Sequence, residues 1–429
     1  ETWRAVAAAV RSAPEPTLAL RGLGRSYGDS ALNGAGAVVL TERLDRILAF
    51  DPDGRTLTCE AGTSLARLLA FLLPRGFFLP VVPGTRFVTV GGALAADVHG
   101  KNHHVDGPIG RHVEELTLLL ASGETLRCSP TENAETFDAT IGGMGLTGVI
   151  LSARLALLPV ETPWVRVVKR RGRCLEEVLA RLEEEESLSR YSVAWIDGMA
   201  RGRALGRGVL MRGDHVLAAE LPRGKAARGS LPERPGPNVP FEAPSALLSP
   251  LTISAFDALY YAAGRDSTGI SGPAGFFFPL DALGSWNRLY GRRGFVQYQA
   301  LLPRETAAEG CRRILEEISR ERAASFLAVL KTTGPEGRGT LSFPKPGVTL
   351  GLDVPNVGER LRPLARRLDE ILLALGGRLY LAKDALTDAA TFAAMYPRLP
   401  EFLAVKRRLD PNGRFSSSQA RRLGLAEAR

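Results

Sequence analysis

Lysine is scarce in this chain. Only seven of its 55 basic residues are lysine, although basic residues outnumber the 46 acidic ones and leave a formal net charge of +9. A surplus of that sign reads first as a basic solvated surface, and otherwise suits nucleic acid, an anionic membrane surface or an anionic substrate. No helix-like segment interleaves basic and aromatic residues, and no nucleic-acid motif of known spacing occurs, which argues against nucleic acid. Cysteine is sparse as well. Cys59, Cys128, Cys174 and Cys311 lie far apart without a CxxC pair, so neither a zinc site nor a disulfide framework is indicated. They read as buried free thiols in a reducing compartment. Long apolar runs are missing too: nothing approaches the roughly 18 consecutive apolar residues of a membrane span. The expected location is therefore cytoplasmic or peripheral at the cell membrane. The chain opens on Glu1 rather than Met, which reads as a trimmed start. Thr2 to Ser12 reads as an amphipathic helix rather than a signal peptide. The 429 residues, 45% hydrophobic and 24% charged, suffice for two or three globular domains.

Against this background one stretch stands out, Pro83 to His104, PGTRFVTVGGALAADVHGKNHH. It is both Gly-rich and polar, and His99, His103 and His104 are three of the chain's five histidines. Such a composition suits a site that brings backbone close to a large anionic ligand. His103 and His104 pair by type as metal ligands, but no carboxylate at ligand spacing joins them, so no metal is expected. A second Gly-rich segment, LGRSYGDSALNGAG, lies between the strand-like TLALRG and AVVLTE. Around Gly22, Gly24 and Gly28 successive amides can converge on phosphate oxygens. Arg25 adds charge, and Ser26, Tyr27 and Asn33 add polar groups. No GK[ST] follows, so this is not a Walker loop; an ordinary surface loop fits the residue types equally well. Gly143 to Gly148 satisfies GxGxxG, but a helix-like segment precedes it and a strand-like one follows. That order is the reverse of the dinucleotide fold, which is rejected.

The remaining elements follow from periodicity. Ile47–Phe50 and Thr56–Ala61 pair around Asp51-Pro52-Asp53-Gly54, and Ser64 to Leu73 is a helix with Thr63 or Ser64 as its cap. Val113–Leu120 and Thr125–Cys128 form a hairpin across Ser122-Gly123. Beyond Pro159, strands are expected at Trp164–Lys169, Tyr191–Ile196, Arg207–Met211, Phe295–Leu302, Ser325–Lys331 and Val348–Val354. Helices are expected at Leu175–Glu186, Arg304–Arg320 and Glu359–Leu375. This alternation implies an α+β domain with an antiparallel sheet. The Pro-, Gly- and Arg-rich segment at 222–250 reads as a mobile loop. Gln297 and Gln299 share a strand face, which by residue type favours water over a pocket.

Taken together, RGLGRSYGDSALNG, EAGTSLARLL, VPGTRFVTVGGALAADVHGKNHH, GGMGLTG, FVQYQ, GGRLYLAKDALTDAATFAAMYPR and RRLDPNGRF resemble the FAD-binding oxidoreductases of the vanillyl-alcohol oxidase type. Within that family they are most similar to members that oxidise a polyprenyl-phosphoryl ribose. The resemblance spans most of the chain outside 222–250. It implies a two-domain α+β flavoprotein with its FAD domain split into 1–163 and 378–429 around a substrate domain at 164–377. It further implies that FAD follows Gly22, Gly24, Arg25, Ser26, Tyr27, Gly28 and Asn33. The implied cofactor contacts continue through Pro83, Gly84, Thr85, Thr89, Gly91, Gly92, Ala95, Val98 and His99, then Gly143, Gly148 and Tyr380. Lys383 is implied as the catalytic contact with the reacting hydroxyl, and Lys101 as a second catalytic residue that orients the sugar or phosphate. Trp195, Gln297, Gln299, Lys331, Thr349, Gly351 and Tyr380 are implied around the substrate.

The implied reaction oxidises the ribose 2-hydroxyl to a keto sugar, which a partner reductase converts to the arabinose epimer for cell-wall arabinan. Rival readings are an oxidase of a free alditol or aldonolactone, and a flavin-free carbohydrate- or lipid-binding protein on the same scaffold. Gly351 departs from the pattern, because the family member attacked by covalent nitroaromatic inhibitors carries a cysteine there and Asn in place of Thr349; thiol-directed reagents have no nucleophile at this position. In relatives with covalent flavin a histidine often stands in place of Tyr27, and a phenol cannot form that link. FAD is therefore expected to be non-covalent: acid precipitation should leave all flavin in the supernatant, and a yellow pellet would overturn this.

Overall fold

The computed structural model describes residues 2–225, 228–244, 249–323 and 326–426. Two sheets organise it. The smaller has five antiparallel strands in the order Ile47–Asp51, Thr56–Glu60, Val149–Ala156, Val113–Leu119, Thr125–Cys128. The expected hairpin is present, with Leu119 opposite Thr125. Against this sheet packs the helix Leu65–Leu72, capped by Ser64, whose hydroxyl accepts from the Arg67 amide at 3.1 Å. Its buried residues Leu65, Leu68, Leu69 and Leu72 recur at helical spacing and enter one apolar core with the sheet.

The parallel pair Leu18–Arg21 and Ala37–Leu40 stands apart. Its partner comes from the far end of the chain: Leu18 donates to Arg414 O at 2.7 Å, and Ser416 donates back to Leu18 O at 3.0 Å. Lys406 and Asp410 fasten this junction. Both are buried, and the Lys406 ammonium donates to Asp410 Oδ2 (3.0 Å), Phe415 O (2.9 Å) and Leu146 O (3.3 Å). Asp410 in turn accepts from the Arg414 and Phe415 amides. One ion pair thus ties the C-terminal segment to the first strand and to the Gly143–Gly148 turn.

The larger sheet has eight strands, in the order Ser267–Ser271, Val165–Gly172, Gly208–His215, Tyr191–Ile196, Ala328–Thr333, Gly347–Pro355, Phe295–Leu302, Arg378–Leu379. The helices Leu175–Glu184, Arg304–Arg320 and Leu361–Ala374 cover one face. Ala307, Cys311, Ile314, Leu315 and Ile318 point into it from the second of these, meeting Ala194, Ala300, Leu330, Leu350 and Leu352 from the strands. Because side chains alternate along a strand, the residues between those apolar ones face the other way. They are Trp195, Gln297, Gln299, Lys331, Thr349, Gly351 and Asp353. Register aligns them: Gln299 lies opposite Gly351, Lys331 opposite Thr349 and Gln297 opposite Asp353.

That second face meets the first domain rather than solvent, which corrects the reading of the two glutamines. Gln299 is buried and Gln297 half-buried, because another layer of the molecule lies over the strand. The segment around 222–250 is pinned at several points, with Gly236, Val239 and Ala243 amides donating to Asp281, Gly284 and Arg288 carbonyls; 226–227 and 245–248 lie outside the described residues. The helix Pro250–Ala263 after it has no counterpart in the sequence reading. The strand expected at Ser325–Lys331 runs from Ala328 to Thr333, and Ser325 itself lies outside the described residues. Among the described residues no helix is long and apolar enough to cross a membrane.

Lys406→Met should lower unfolding free energy by about 3–5 kcal/mol, since it leaves Asp410 buried without its cation. Denaturant titration followed by circular dichroism measures this; a loss under about 1 kcal/mol would refute the fastening role.

Candidate active site

Three segments distant in sequence meet at one trough. Thr89 caps the short helix Val90–Ala95, accepting from the Gly92 amide at 3.1 Å. Gly22 lies so near that a methyl group on it would come within 2.2 Å of Thr89 Oγ1. Gly28 has φ +76°, and a methyl there would strike Asp384 O at 2.5 Å. Tyr27 N donates to Ala382 O at 2.8 Å, so the first Gly-rich loop is clamped between the Thr89 helix and the C-terminal segment. Within this tight frame Gly84 and Gly92 are exposed. A methyl on Gly84 would meet nothing within 4 Å, and one on Gly92 only Thr89 Oγ1 at 3.1 Å. Their neighbours Val90, Ala93 and Leu94 are wholly buried. Gly24 and Arg25 are exposed beside them, with Arg25 Nε donating to Phe87 O at 3.2 Å; Ser26, Gly91 and Ala95 are half-exposed. Bare backbone between buried walls fits a large flat ligand that carries phosphates.

Other expected cofactor residues are used by the protein itself. Asn33 donates to Thr17 O and Ala37 O and accepts from Arg421. Methyl groups on Gly143 and Gly148 would strike Ala139 O at 2.1 Å and Leu119 O at 2.6 Å. Their turn instead backs the small-residue helix, the Met144 amide donating to Ala95 O at 2.8 Å. Pro83 leads into Thr85, whose hydroxyl donates to Asp281 at 2.6 Å; Arg86 pairs with the same carboxylate. His103 and His104 serve as ties, with Gly334 N donating to His103 Nδ1 at 3.0 Å and His104 Nε2 lying 3.1 Å from Ser189 O. Among the described residues no three His, Cys, Asp or Glu side chains are placed to hold a metal.

Beside the trough lies the polar face of the large sheet. Gln299 Nε2 lies 2.8 Å from His99 Nε2 and 3.1 Å from Thr349 Oγ1, which donates to Ala300 O. With the amide donating to Nε2, His99 carries its proton on Nδ1, which is buried without a partner. Burial, then Lys331 and His103, hold this imidazole well below its usual pKa, so it is neutral. The Tyr380 hydroxyl donates to Ala96 O at 2.9 Å, and its ring edges His99 at 5.1 Å. Val98 is buried beside them.

The lysines converge here. Lys383 places its ammonium 3.8 Å from the Tyr27 ring centroid. Lys101 donates to Phe276 O and lies 4.5 Å from that ring. Burial, with Lys331's charge adding to it, pulls Lys101 down to about 7, and burial alone pulls Lys331 to about 8. Lys383 is lowered by burial too, though Asp353 opposes this. Asp353 escaped the sequence reading. It is buried and accepts from Tyr290 Oη at 2.7 Å and from Gln297 Nε2. Burial raises its carboxyl, while those bonds and the charge of Lys383 oppose the rise. Its signal was a lone carboxylate among apolar residues in VTLGLDVP, at the same parity as Thr349 and Gly351. Trp195 is buried, donating to Phe326 O at 3.0 Å and touching Tyr260. A side chain at Gly351 would meet Val329 at 3.4 Å and Gln299 at 3.8 Å, ordinary contacts that leave room for one.

Comparison with known proteins shows the kinship. Residues 1–129 match the FAD binding domain family, and residues 358–423 match the D-arabinono-1,4-lactone oxidase family. The chain is 40% identical to decaprenylphosphoryl-beta-D-ribose oxidase of Mycolicibacterium smegmatis, over 94% of this chain and 88% of that one. An alditol oxidase of a Streptomyces species is 27% identical over 93% and 89% of the two chains. Bovine L-gulonolactone oxidase is 33% identical over 40% of this chain and 38% of its own. The open glycine trough, the lysine pocket and these matches together place the chain in the vanillyl-alcohol oxidase type of FAD-binding proteins, as an FAD-dependent oxidoreductase.

Proposed function

We propose that this enzyme oxidises the 2-hydroxyl of a polyprenyl-phosphoryl ribose to the 2-keto sugar, the first half of an epimerisation to arabinose in cell-wall arabinan synthesis. A separate keto-sugar reductase would complete the epimerisation, and contact with the membrane that holds the lipid would be peripheral. One observation carries the reading: Lys101, Lys331 and Lys383 are half-buried and so placed that the charge of Lys331 acts on both other amines, with Asp353 as the carboxylate acting on Lys383. Unbalanced buried cations are costly unless an anion joins them. A phosphodiester supplies that anion, and a neutral alditol does not. The similarity to an oxidase of decaprenylphosphoryl ribose over 94% of the chain supports the same choice.

FAD held along Gly22–Gly28 and Pro83–His99 supplies an acceptor for two electrons and a proton equivalent. The protein positions the alcohol and manages its other proton. Lys383, with its depressed pKa, has a neutral fraction near neutral pH and takes the hydroxyl proton as general base. Asp353 steadies the resulting ammonium. Lys101 and Lys331 hold the phosphodiester by charge-assisted bonds. Gln299 fixes His99 in its neutral form, in which it would line the cofactor site. Trp195 and the vacancy at Gly351 shape the sugar side of the pocket. The domain division at 163 and 377 is part of this proposal. Its support is the C-terminal segment's hydrogen bonding to Leu18 and Tyr27.

Anaerobic addition of farnesylphosphoryl ribose should bleach the flavin absorbance near 450 nm, whereas xylitol and gulonolactone should not. Bleaching by xylitol alone would move the assignment to an alditol oxidase. Lys383→Ala should keep the flavin and lose on the order of 10²–10⁴-fold in kcat, while Lys101→Ala should mainly raise KM. In the wild type KM should rise as pH climbs through 7 to 8, because the two phosphate-holding amines lose their charge there as protons leave. A KM flat to pH 9 would count against phosphate binding by these lysines. Gly92→Leu should fold normally, since its side chain meets no packed wall, yet purify without flavin; a yellow variant would remove the trough as the cofactor site.

A further inference from the structure

The helix Pro250–Ala263 reverses the usual rule for a helix in water. Its sequence, PLTISAFDALYYAA, contains one ionisable carboxylate, Asp257, and that side chain points inward and is buried beside Asp197. Leu251 and Leu259 face outward at 81% and 72% exposure, joined by Phe256 and Tyr260 at 44% and 39%. A surface helix normally buries its apolar stripe and exposes its charges. Fourteen residues span roughly 21 Å, so the outward face is a continuous uncharged strip rather than a scatter of single apolar residues.

The strip lies beside the active site. Tyr260 touches Trp195 with ring centroids 4.5 Å apart, and Phe256 edges Phe326 at 5.7 Å. Phe326 packs on Tyr290 at 5.4 Å, and Tyr290 donates to Asp353. The helix is thus two aromatic contacts from the carboxylate that faces Lys383. Arginines border its C-terminal end. Arg171 and Arg207 lie over the Tyr261 ring at 5.6 and 4.8 Å, Arg207 also pairing with Asp197, and Arg265 is exposed just beyond.

We propose that this helix is a docking surface for a lipid bilayer with anionic headgroups, lying in the interface plane with Leu251, Phe256 and Leu259 among the acyl chains. The inference rests on the reading of the substrate as lipid-linked: a prenyl chain can then stay in the bilayer while its sugar phosphate reaches the lysine pocket. An uncharged apolar strip with basic residues at its border fits such a surface, with apolar burial and attraction to anionic lipid acting together. The net charge of +9 acts in the same direction.

The test is co-sedimentation of the FAD-loaded enzyme with vesicles of phosphatidylglycerol and phosphatidylcholine, against a Leu251→Glu/Leu259→Glu variant. Both residues are so exposed that the variant should keep its flavin spectrum and melting temperature. The wild type should sediment with anionic vesicles and the variant at least about tenfold less. Equal sedimentation of the two, or none by the wild type, overturns the proposal. So does a wild-type dimer that the variant converts to monomer without any vesicle binding, which would make a second copy the occupant. Turnover of soluble farnesylphosphoryl ribose reports separately on the substrate. If it fails in the wild type, the substrate reading falls, whereas turnover intact in both proteins with no vesicle binding removes only the membrane surface.

Discussion

Lysine ammonium groups drawn half out of water, with Asp353 as the carboxylate acting on one of them, set the terms for the rest of this molecule. A buried cation is stable only when partners surround it or when it releases its proton. Here both responses are visible. Lys101 rests on a carbonyl and an aromatic face, and Lys383 rests on the Tyr27 ring with Asp353 in attendance. Burial lowers all three amines toward neutrality. A site poised in this way can hold an anion at one lysine and accept a proton at another, which is what oxidation of a phosphorylated sugar requires.

Much of the architecture serves to bring those groups together. Strand alternation sends Lys331, Gln299, Thr349 and Asp353 to one face of the large sheet, while three helices absorb the other face. The first domain supplies the opposing wall through Lys101 and His99, and the returning C-terminal segment supplies Lys383 and Tyr380. The return depends on backbone pairing at Leu18 and on the buried Lys406–Asp410 pair. Damage far from the pocket at Lys406 would therefore loosen the segment that carries Lys383.

The glycine trough depends on close approach. Gly22 and Gly28 let the first loop touch the Thr89 helix and the Asp384 backbone at distances no side chain permits. Gly84 and Gly92 differ, since their missing side chains leave space open to the outside. The sequence shows all four as glycine and cannot separate those that allow protein to pack from those that leave room for a ligand. Gly143 and Gly148 show the same ambiguity from the other side, for the protein's own carbonyls occupy the space beside them.

The amino-acid sequence by itself determined the secondary elements with strong periodicity, the α+β class, the kinship and the residue types of the site, because these depend on local spacing and on ordered blocks of residues. The stretch from Pro83 to His104 was legible for that reason, as was the pairing of Gln297 with Gln299 on one face. Only the tertiary structure decided which way that face points, since both water and a second layer satisfy a two-residue period. It also revealed Asp353 as the carboxylate facing Lys383, and Asn33 as a residue satisfied by its own chain. The helix Pro250–Ala263 went unread because its outward face is as apolar as a core; burial of Asp257 on its inner side is a long-range fact that no local pattern contains.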